Sequence, residues 1–123
     1  QMCIRDRYLP PVETFPSVEN FDYEAKYQAG GAKEICPAEL TEEQAKAVGE
    51  MALRVHKALG LAVYARADFI VDEAGTPWFL EINTLPGMTP TSLVPQEAAA
   101  VGIDYEQLCQ RIIDASLQAR REQ

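Results

Sequence analysis

The chain is short of basic residues: 11 lysines and arginines stand against 19 acids, for a formal charge of −8 over 123 residues. No basic stripe interleaves with aromatics, so nucleic acid is excluded as the natural partner. Long apolar runs are absent too, and nothing approaches the roughly 20 residues that a membrane span requires. The cysteines Cys3, Cys36 and Cys109 are odd in number, widely spaced and free of a C-x-x-C pair. That excludes a disulfide framework or a thiolate metal site and fits reduced thiols in a cytoplasmic protein. Internal repeats and low-complexity tracts are missing as well. What is present is a 47% hydrophobic composition, enough for the core of about one domain at this length. Most of the acids fall on expected helix faces, where solvated charge is the ordinary explanation.

The amino terminus fits the rest poorly. "QMCIRDR" has neither the apolar core of a secretory signal nor the pattern of a transit peptide. The expectation is a chain that begins in mid-protein, with residues 1–7 foreign or linker and residues 8–123 forming one structural unit. Pro10, Pro11 and Pro16 disfavour helix and suggest an extended connector or edge strand. Residues 20–38, with Gly30-Gly31, read as a surface loop. Thr41 with Gln44 three residues on forms a capping box for an amphipathic helix that ends at Gly60, with Val48, Ala52, Val55 and Leu59 on its apolar stripe. His56 lies on or beside that stripe and reads as a packing residue. A short helix is expected from Ser92 to Ala99. A second long one follows Asp104, capped with Gln107 and burying Leu108, Ile112 and Ala115 or Ser116.

Between the helices, "AVYARADFIVD" and "PWFLEIN" are β-prone runs joined by "EAGT", the pattern of a hairpin with a four-residue loop. If Asp72 faces Pro77, Asp68 faces Glu81 and Arg66 faces Asn83. Alternation then puts all four on one face of the ribbon. Two carboxylates in direct opposition repel one another and need compensation. Arg66 alone could supply it as part of a surface ion cluster. A hard divalent cation resolves the repulsion better, because Mg²⁺ takes oxygens from one or two carboxylates plus phosphate, and Asn83 adds a neutral oxygen. Arg66, a planar donor, suits a phosphate or a developing oxyanion. The neighbours Phe69, Ile70, Phe79, Leu80 and Ile82 are apolar, which disfavours a casual solvated face.

The stretch "RADFIVDEAGTPWFLEINTLPGMTPTSLVP", together with "FDYEAKY", resembles the carboxy-terminal part of the D-alanine–D-alanine ligases, ATP-grasp enzymes of bacterial cell-wall synthesis. The resemblance covers about residues 9–113. R-x-D followed by E-x-N-T-x-P-G-M-T and S-L is specific, whereas E-x-N alone would have suggested only ATP-grasp. A related carboxylase would usually follow E-x-N with a proline and an arginine. The resemblance implies an α/β chain of the α+β type: the carboxy-terminal lobe of an ATP-grasp, mainly antiparallel sheet flanked by helices. It implies ATP and two Mg²⁺ ions, or Mn²⁺ in their place, as cofactors, D-alanine as substrate, and a whole protein that could be a homodimer.

Residue by residue, the resemblance assigns Asp68, Glu81 and Asn83 to the metals, with Glu81 bridging both. Arg66 and the backbone N–H of Gly87 stand where the acyl phosphate and tetrahedral intermediate are stabilised. Ser92 and Leu93 stand where the carboxylate of the second D-alanine is received. Lys26 stands where a lysine reaches the ATP phosphates, and Tyr27 where a tyrosine belongs to the loop closing over the site. Phe21 departs from the tyrosine common at its position. A D-alanine–D-lactate ligase would share the metal ligands, and a non-catalytic module would be expected to have lost them. No glycine-rich loop and little of an adenine pocket are visible, so this stretch alone is expected to be inactive.

Overall fold

The computed structural model describes residues 2–4, 7–16 and 32–122. A four-stranded antiparallel sheet runs in the order β2-β1-β5-β6, with a separate two-stranded sheet of β3 and β4. Its strands are β1 Met2–Ile4, β2 Arg7–Tyr8, β5 Tyr64–Val71 and β6 Pro77–Asn83. The small sheet pairs β3 Glu13–Pro16 with β4 Ala32–Ile35. So the proline-rich segment is a strand, as its composition allowed, while the stretch read as loop up to residue 38 contains β4. Met2–Ile4, inside the segment expected to be linker, lies against β5, with Met2 opposite Arg66.

Helix α1, Glu42–Ala58, starts with the expected capping box, in which Thr41 Oγ1 accepts from Gln44 N–H and Gln44 Oε1 accepts from Thr41 N–H. It closes where Gly60 N–H reaches Lys57 O and Leu61 N–H reaches His56 O, the paired bonds of a Schellman end. Val48 and Ala52 are buried as expected, but Leu59 is 58% exposed. Being the C-cap, Leu59 has left the helical face, and buried His56 occupies the stripe position a turn further in. Ala52 packs on Ala67, with Leu53, Phe69 and Ile82 around them. Small residues at both positions let the helix approach the sheet.

On the sheet's other face a second cluster gathers Leu9, Val94, Ala98 and Leu108, with Tyr64, Met88, Ile103 and Ile112 packed against it. Its helices are α2 Leu93–Ala99 and α3 Tyr105–Arg121. Asp104 and Gln107 form the expected capping box of α3, which buries Leu108 and Ala115. Because Tyr64 belongs to this cluster, α2 and α3 cover only the start of β5 on that face. Arg66, Asp68 and Ile70 follow on the same face, and exposure rises along it, from 17% and 29% for the Arg66 and Asp68 side chains to 56% for Ile70.

Candidate active site

The ribbon brings four of the expected residues together. Asp68 opposes Glu81 and Arg66 opposes Asn83, as the alternation argument required, although the route there differs. Val71, not Asp72, faces Pro77, and the register slips by one residue between Asp68 and Phe69. Leu80 is the extra residue of this β-bulge. The loop is accordingly Asp72 to Thr76, longer than the four residues expected, and closed by Gly75 N–H to Asp72 O at 2.9 Å. The two departures cancel at the site. Phe69 and Phe79 meet edge to face at 5.8 Å on the α1 side, while the bulge leaves Leu80 56% exposed.

Within the group, Arg66 grips Asp68 with two parallel bonds, Nε to Oδ1 at 2.9 Å and Nη2 to Oδ2 at 3.1 Å. Burial pulls the Arg66 guanidinium toward neutrality, but the Asp68 hydrogen bonds and charge, with the charges of Glu97 and Glu81, more than offset this and leave its pKa above the ordinary value. The guanidinium therefore stays a fixed cation. Asn83 accepts the backbone N–H of Leu85 on Oδ1 at 3.0 Å, which ties the end of β6 to the loop that follows and holds the amide carbonyl on the ribbon. Among the described residues no group of three or more His, Cys, Asp or Glu could hold a metal ion. A cation here would rely on the two opposed carboxylates, the Asn83 carbonyl and further oxygens from outside. That all-oxygen, carboxylate-poor set fits Mg²⁺, which keeps positions for water and phosphate.

The loop from Thr84 to Ser92 carries the next two candidates and folds them onto each other. A side chain at Gly87 would bring its Cβ to 3.1 Å from Ser92 Oγ, so any other residue would press on the Ser92 hydroxyl and shift it slightly from its present place. Ser92 is the N-cap of α2, one residue before the helix proper, yet its hydroxyl makes no cap bond. It turns back to the loop, accepting Thr89 N–H at 3.1 Å and sharing a hydrogen bond with Thr89 Oγ1 at 2.6 Å. The loop is anchored below by buried Pro86 and by Met88, which packs into the second cluster, and above by the Tyr105 hydroxyl donating to Met88 O. Leu93 opens α2 beside them. Lys26, Tyr27 and Phe21 lie outside the described residues.

Sequence reasoning passed over Glu97, which is fully buried on α2. Its signal was its position: Glu97 falls with Val94 and Ala98 on one helical face at i+3 and i+4 spacing, where a solvated acid would not be placed. Cys36 lies on the same side of α2, its thiol donating to Gln96 O at 3.6 Å. Burial and then the Glu97 charge push the Cys36 thiol above its ordinary pKa, which disfavours the thiolate form.

A family model described as "D-ala D-ala ligase C-terminus" matches residues 5–114. The chain belongs to the D-alanine–D-alanine ligase family. A D-alanine–D-alanine ligase of Nitratidesulfovibrio vulgaris is 50% identical over 115 residues, covering 93% of this chain and 38% of the relative. One of Oleidesulfovibrio alaskensis is 52% identical over 119 residues, covering 96% of this chain and 39% of the relative. The ligase-family fold extends to solved structures. The Bacillus anthracis D-alanine–D-alanine ligase complexed with ATP superposes with a TM-score of 0.81 at 40% identity, over 98% of this chain and 39% of that one. The VanG D-Ala:D-Ser ligase of Enterococcus faecalis gives a TM-score of 0.78 at 28% identity, over 93% of this chain and 34% of that one. The chain thus spans about two fifths of the length of these D-alanine–D-alanine ligases. The α+β architecture of antiparallel sheet and flanking helices is that of the carboxy-terminal part of this family. No helix among the described residues is long and apolar enough to cross a membrane.

Proposed function

We propose that this chain is the carboxy-terminal, metal- and phosphate-handling part of an ATP-dependent ligase that joins two D-alanines through an acyl phosphate. The observation that carries the reading is the direct opposition of Asp68 and Glu81 on the ribbon, with the largely buried Arg66 cation beside Asp68. In this reading Asp68, Glu81 and Asn83 hold Mg²⁺, which when bound neutralises charge on the transferring phosphates. The chain's own groups do the positioning. Arg66 directs N–H donors not used by Asp68 toward the phosphate and the anionic intermediate, in a partly water-excluded setting where such donors act strongly. The Gly87 backbone N–H is available to the same oxyanion because no side chain covers it. Ser92 and Leu93 receive the carboxylate of the second substrate, and the Thr89 hydrogen bonds fix the Ser92 hydroxyl in one orientation. Lys26 is assigned to the ATP phosphates, and Tyr27 belongs to the loop that closes over the site.

The nucleotide's glycine-rich loop and most contacts to the first substrate belong, in this reading, to a portion upstream. Positioning both substrates supplies roughly 7 to 11 kcal/mol of barrier lowering, and one wall of a cleft cannot provide it. The 123-residue chain is therefore expected to form no ADP with ATP, Mg²⁺ and D-alanine. The same chain joined to its upstream portion is expected to form ADP in a D-alanine-dependent way. Turnover by the short chain alone would contradict the proposal. The likeness to a D-Ala:D-Ser ligase gives a second reading for the acceptor. Product analysis with D-alanine and D-serine in competition separates the two, and the higher identity to D-alanine–D-alanine ligases favours D-alanine as the acceptor.

A further inference from the structure

The Ser92 hydroxyl is only as well placed as the peptide that carries it. Thr89, Pro90 and Thr91 are exposed, and the turn they form closes on itself, with Ser92 N–H donating to Thr89 O at 2.9 Å. The helix that follows holds Ser92 weakly. Its first bond, Gln96 N–H to Ser92 O, is 3.3 Å long, beyond the usual N–H···O distance, and the Ser92 side chain makes no cap bond. A hydroxyl at the end of an exposed turn needs a hold from outside that turn.

Gln96 on α2 provides one. Its Nε2 donates to Thr91 O at 3.1 Å and to Glu34 Oε2. Both partners are acceptors, so the amide must present its nitrogen to them, and the two N–H bonds of that nitrogen serve one acceptor each. Thr91 O and Ser92 N–H belong to the same peptide group, which is thus held on one side by Gln96 and on the other by Thr89 O. The far end of the clasp is firm. Glu34 stands on β4 opposite Thr14 of β3, and the same hairpin is crossed by Ala38 N–H to Pro11 O at 2.8 Å and Glu39 N–H to Glu13 Oε2 at 3.2 Å. Leu9, on the way into β3, is buried with Val94 and Ala98 of α2. Two residues on from Glu34, the Cys36 thiol donates to Gln96 O at 3.6 Å, so this segment meets Gln96 at both its side chain and its carbonyl. We propose that Gln96 is a positioning residue: its amide hangs the Thr91–Ser92 peptide from Glu34 of β4 and so sets the Ser92 hydroxyl where the acceptor's carboxylate is received. The inference rests on the reading of Ser92 given above. A bond to a carboxylate is stronger than a neutral one, and it keeps the Gln96 nitrogen turned toward both acceptors.

The test uses the protein with its upstream portion joined, as Gln96→Met, Gln96→Glu, Ser92→Ala and the exchanged pair Gln96→Glu/Glu34→Gln. The rate of ADP formation against D-alanine concentration is resolved into its two saturation phases, and KM for ATP is measured alongside. Hydrogen exchange of the Ser92 backbone N–H is followed in ¹⁵N spectra without metal or nucleotide. Ser92→Ala identifies the acceptor's phase as the one it moves. Gln96→Met removes both donors and is expected to raise KM in that phase roughly fivefold, with the other phase and KM for ATP changed less than about twofold. The Ser92 N–H should exchange several times faster. Gln96→Glu, which sets a carboxylate against two acceptors, should do at least as much. The exchanged pair separates positioning from mere support. In it the amide on β4 donates back to the carboxylate on α2 and the contact between the two elements returns, but Thr91 O still lacks a donor, so KM in the acceptor's phase stays raised.

An unchanged acceptor KM or an unchanged Ser92 exchange in Gln96→Met overturns the proposal. So does full recovery of that KM in the exchanged pair, which would make Gln96 a tie between β4 and α2 and nothing more. If Gln96→Glu does not fold, Gln96→Met decides by the same readings. If neither folds, Glu34→Ala decides, because it leaves α2 untouched and frees the far end of the clasp: faster Ser92 exchange supports the role, and none overturns it. If Ser92→Ala moves neither phase, the reading of Ser92 fails and the proposal falls with it. If the parent protein forms no ADP with D-alanine, it is the ligase reading that fails, and the Ser92 exchange alone then decides Gln96.

Discussion

The two ends of the β5–β6 hairpin each carry an aspartate, and they use it in opposite ways. At the loop end Asp72 is satisfied by its own turn, accepting Thr76 N–H on Oδ1 at 2.8 Å and the Trp78 indole N–H on Oδ2 at 2.9 Å. Its backbone closes the loop through Gly75 and Thr76. At the other end Asp68 is set directly against Glu81, an arrangement that costs stability unless something outside the pair compensates it. The contrast separates a carboxylate that serves the fold from one the fold tolerates. Local hydrogen bonds that close on themselves need no ligand, whereas of two opposed carboxylates Arg66 grips only Asp68, and a cation between them would relieve the remaining repulsion.

The largest way to break this comparison is to remove the bulge that divides the two ends. Deleting Leu80 forces the ribbon either to keep its loop pairing and turn Glu81 away from Asp68, or to keep the site and strain the loop, because a one-residue slip reverses the face of every side chain. Complete loss of ADP formation is expected in the protein with its upstream portion joined, together with a lower melting temperature. Retained turnover would show that the opposition of Asp68 and Glu81 is not what matters.

A smaller effect is expected at the loop end alone. Gly75 has φ +83°, and a Cβ there would lie 2.5 Å from Nε2 of Gln44, the residue that completes the α1 capping box. Gly75→Ala should cost about 1 to 2 kcal/mol of stability from the backbone conformation, with additional disturbance of the cap. It should leave kcat within about twofold, since the site end keeps its register. Chemical denaturation and steady-state kinetics on the same preparation check both parts.

The smallest effect is a pH dependence at the same end. The Trp78 and Thr76 hydrogen bonds hold the Asp72 carboxyl below its ordinary pKa. A carboxyl whose folded pKa is depressed contributes stability that is fully present above its unfolded value, near 3.9, and is lost as pH falls through the lower folded value. The wild type should therefore lose more melting temperature than Asp72→Asn between about pH 5 and pH 3, and the two curves should run parallel above that window. Curves parallel throughout would mean that the turn bonds contribute nothing net.

How much of this was legible in the sequence follows from range. Capping boxes at Thr41 and Asp104 are local, and both were read correctly because the partners lie three residues apart. The pairing of Asp68 with Glu81 was legible through period-two alternation. Its derivation began one residue off at the loop and was rescued by a bulge that nothing in "FLEIN" announces, since a bulge depends on how the strand must twist to follow its partner. Strand β4 was missed because four residues in a glycine-flanked stretch carry little pattern of their own and gain stability only from β3. His56 is buried on the stripe as expected, whereas Leu59 left it because the helix ended a residue earlier than its apolar period. Glu97 escaped notice because an acid on a helix is usually solvated, and its burial comes from tertiary packing that no local pattern announces.

Central to the account is that Asp68 and Glu81 are opposed in order to bind a cation, and Glu81→Gln tests this most directly in the protein with its upstream portion joined. Two quantities are measured on one sample: the melting temperature without metal, and binding of Mn²⁺ in the presence of ATP by electron paramagnetic resonance. If the opposition is functional, removing one charge relieves repulsion, so the metal-free protein melts at the same temperature or a few degrees higher, while Mn²⁺ binding and turnover collapse. A variant that melts lower and still binds Mn²⁺ with ATP as the wild type does would show that Glu81 belongs to a structural ion cluster with Arg66, and the account would be wrong.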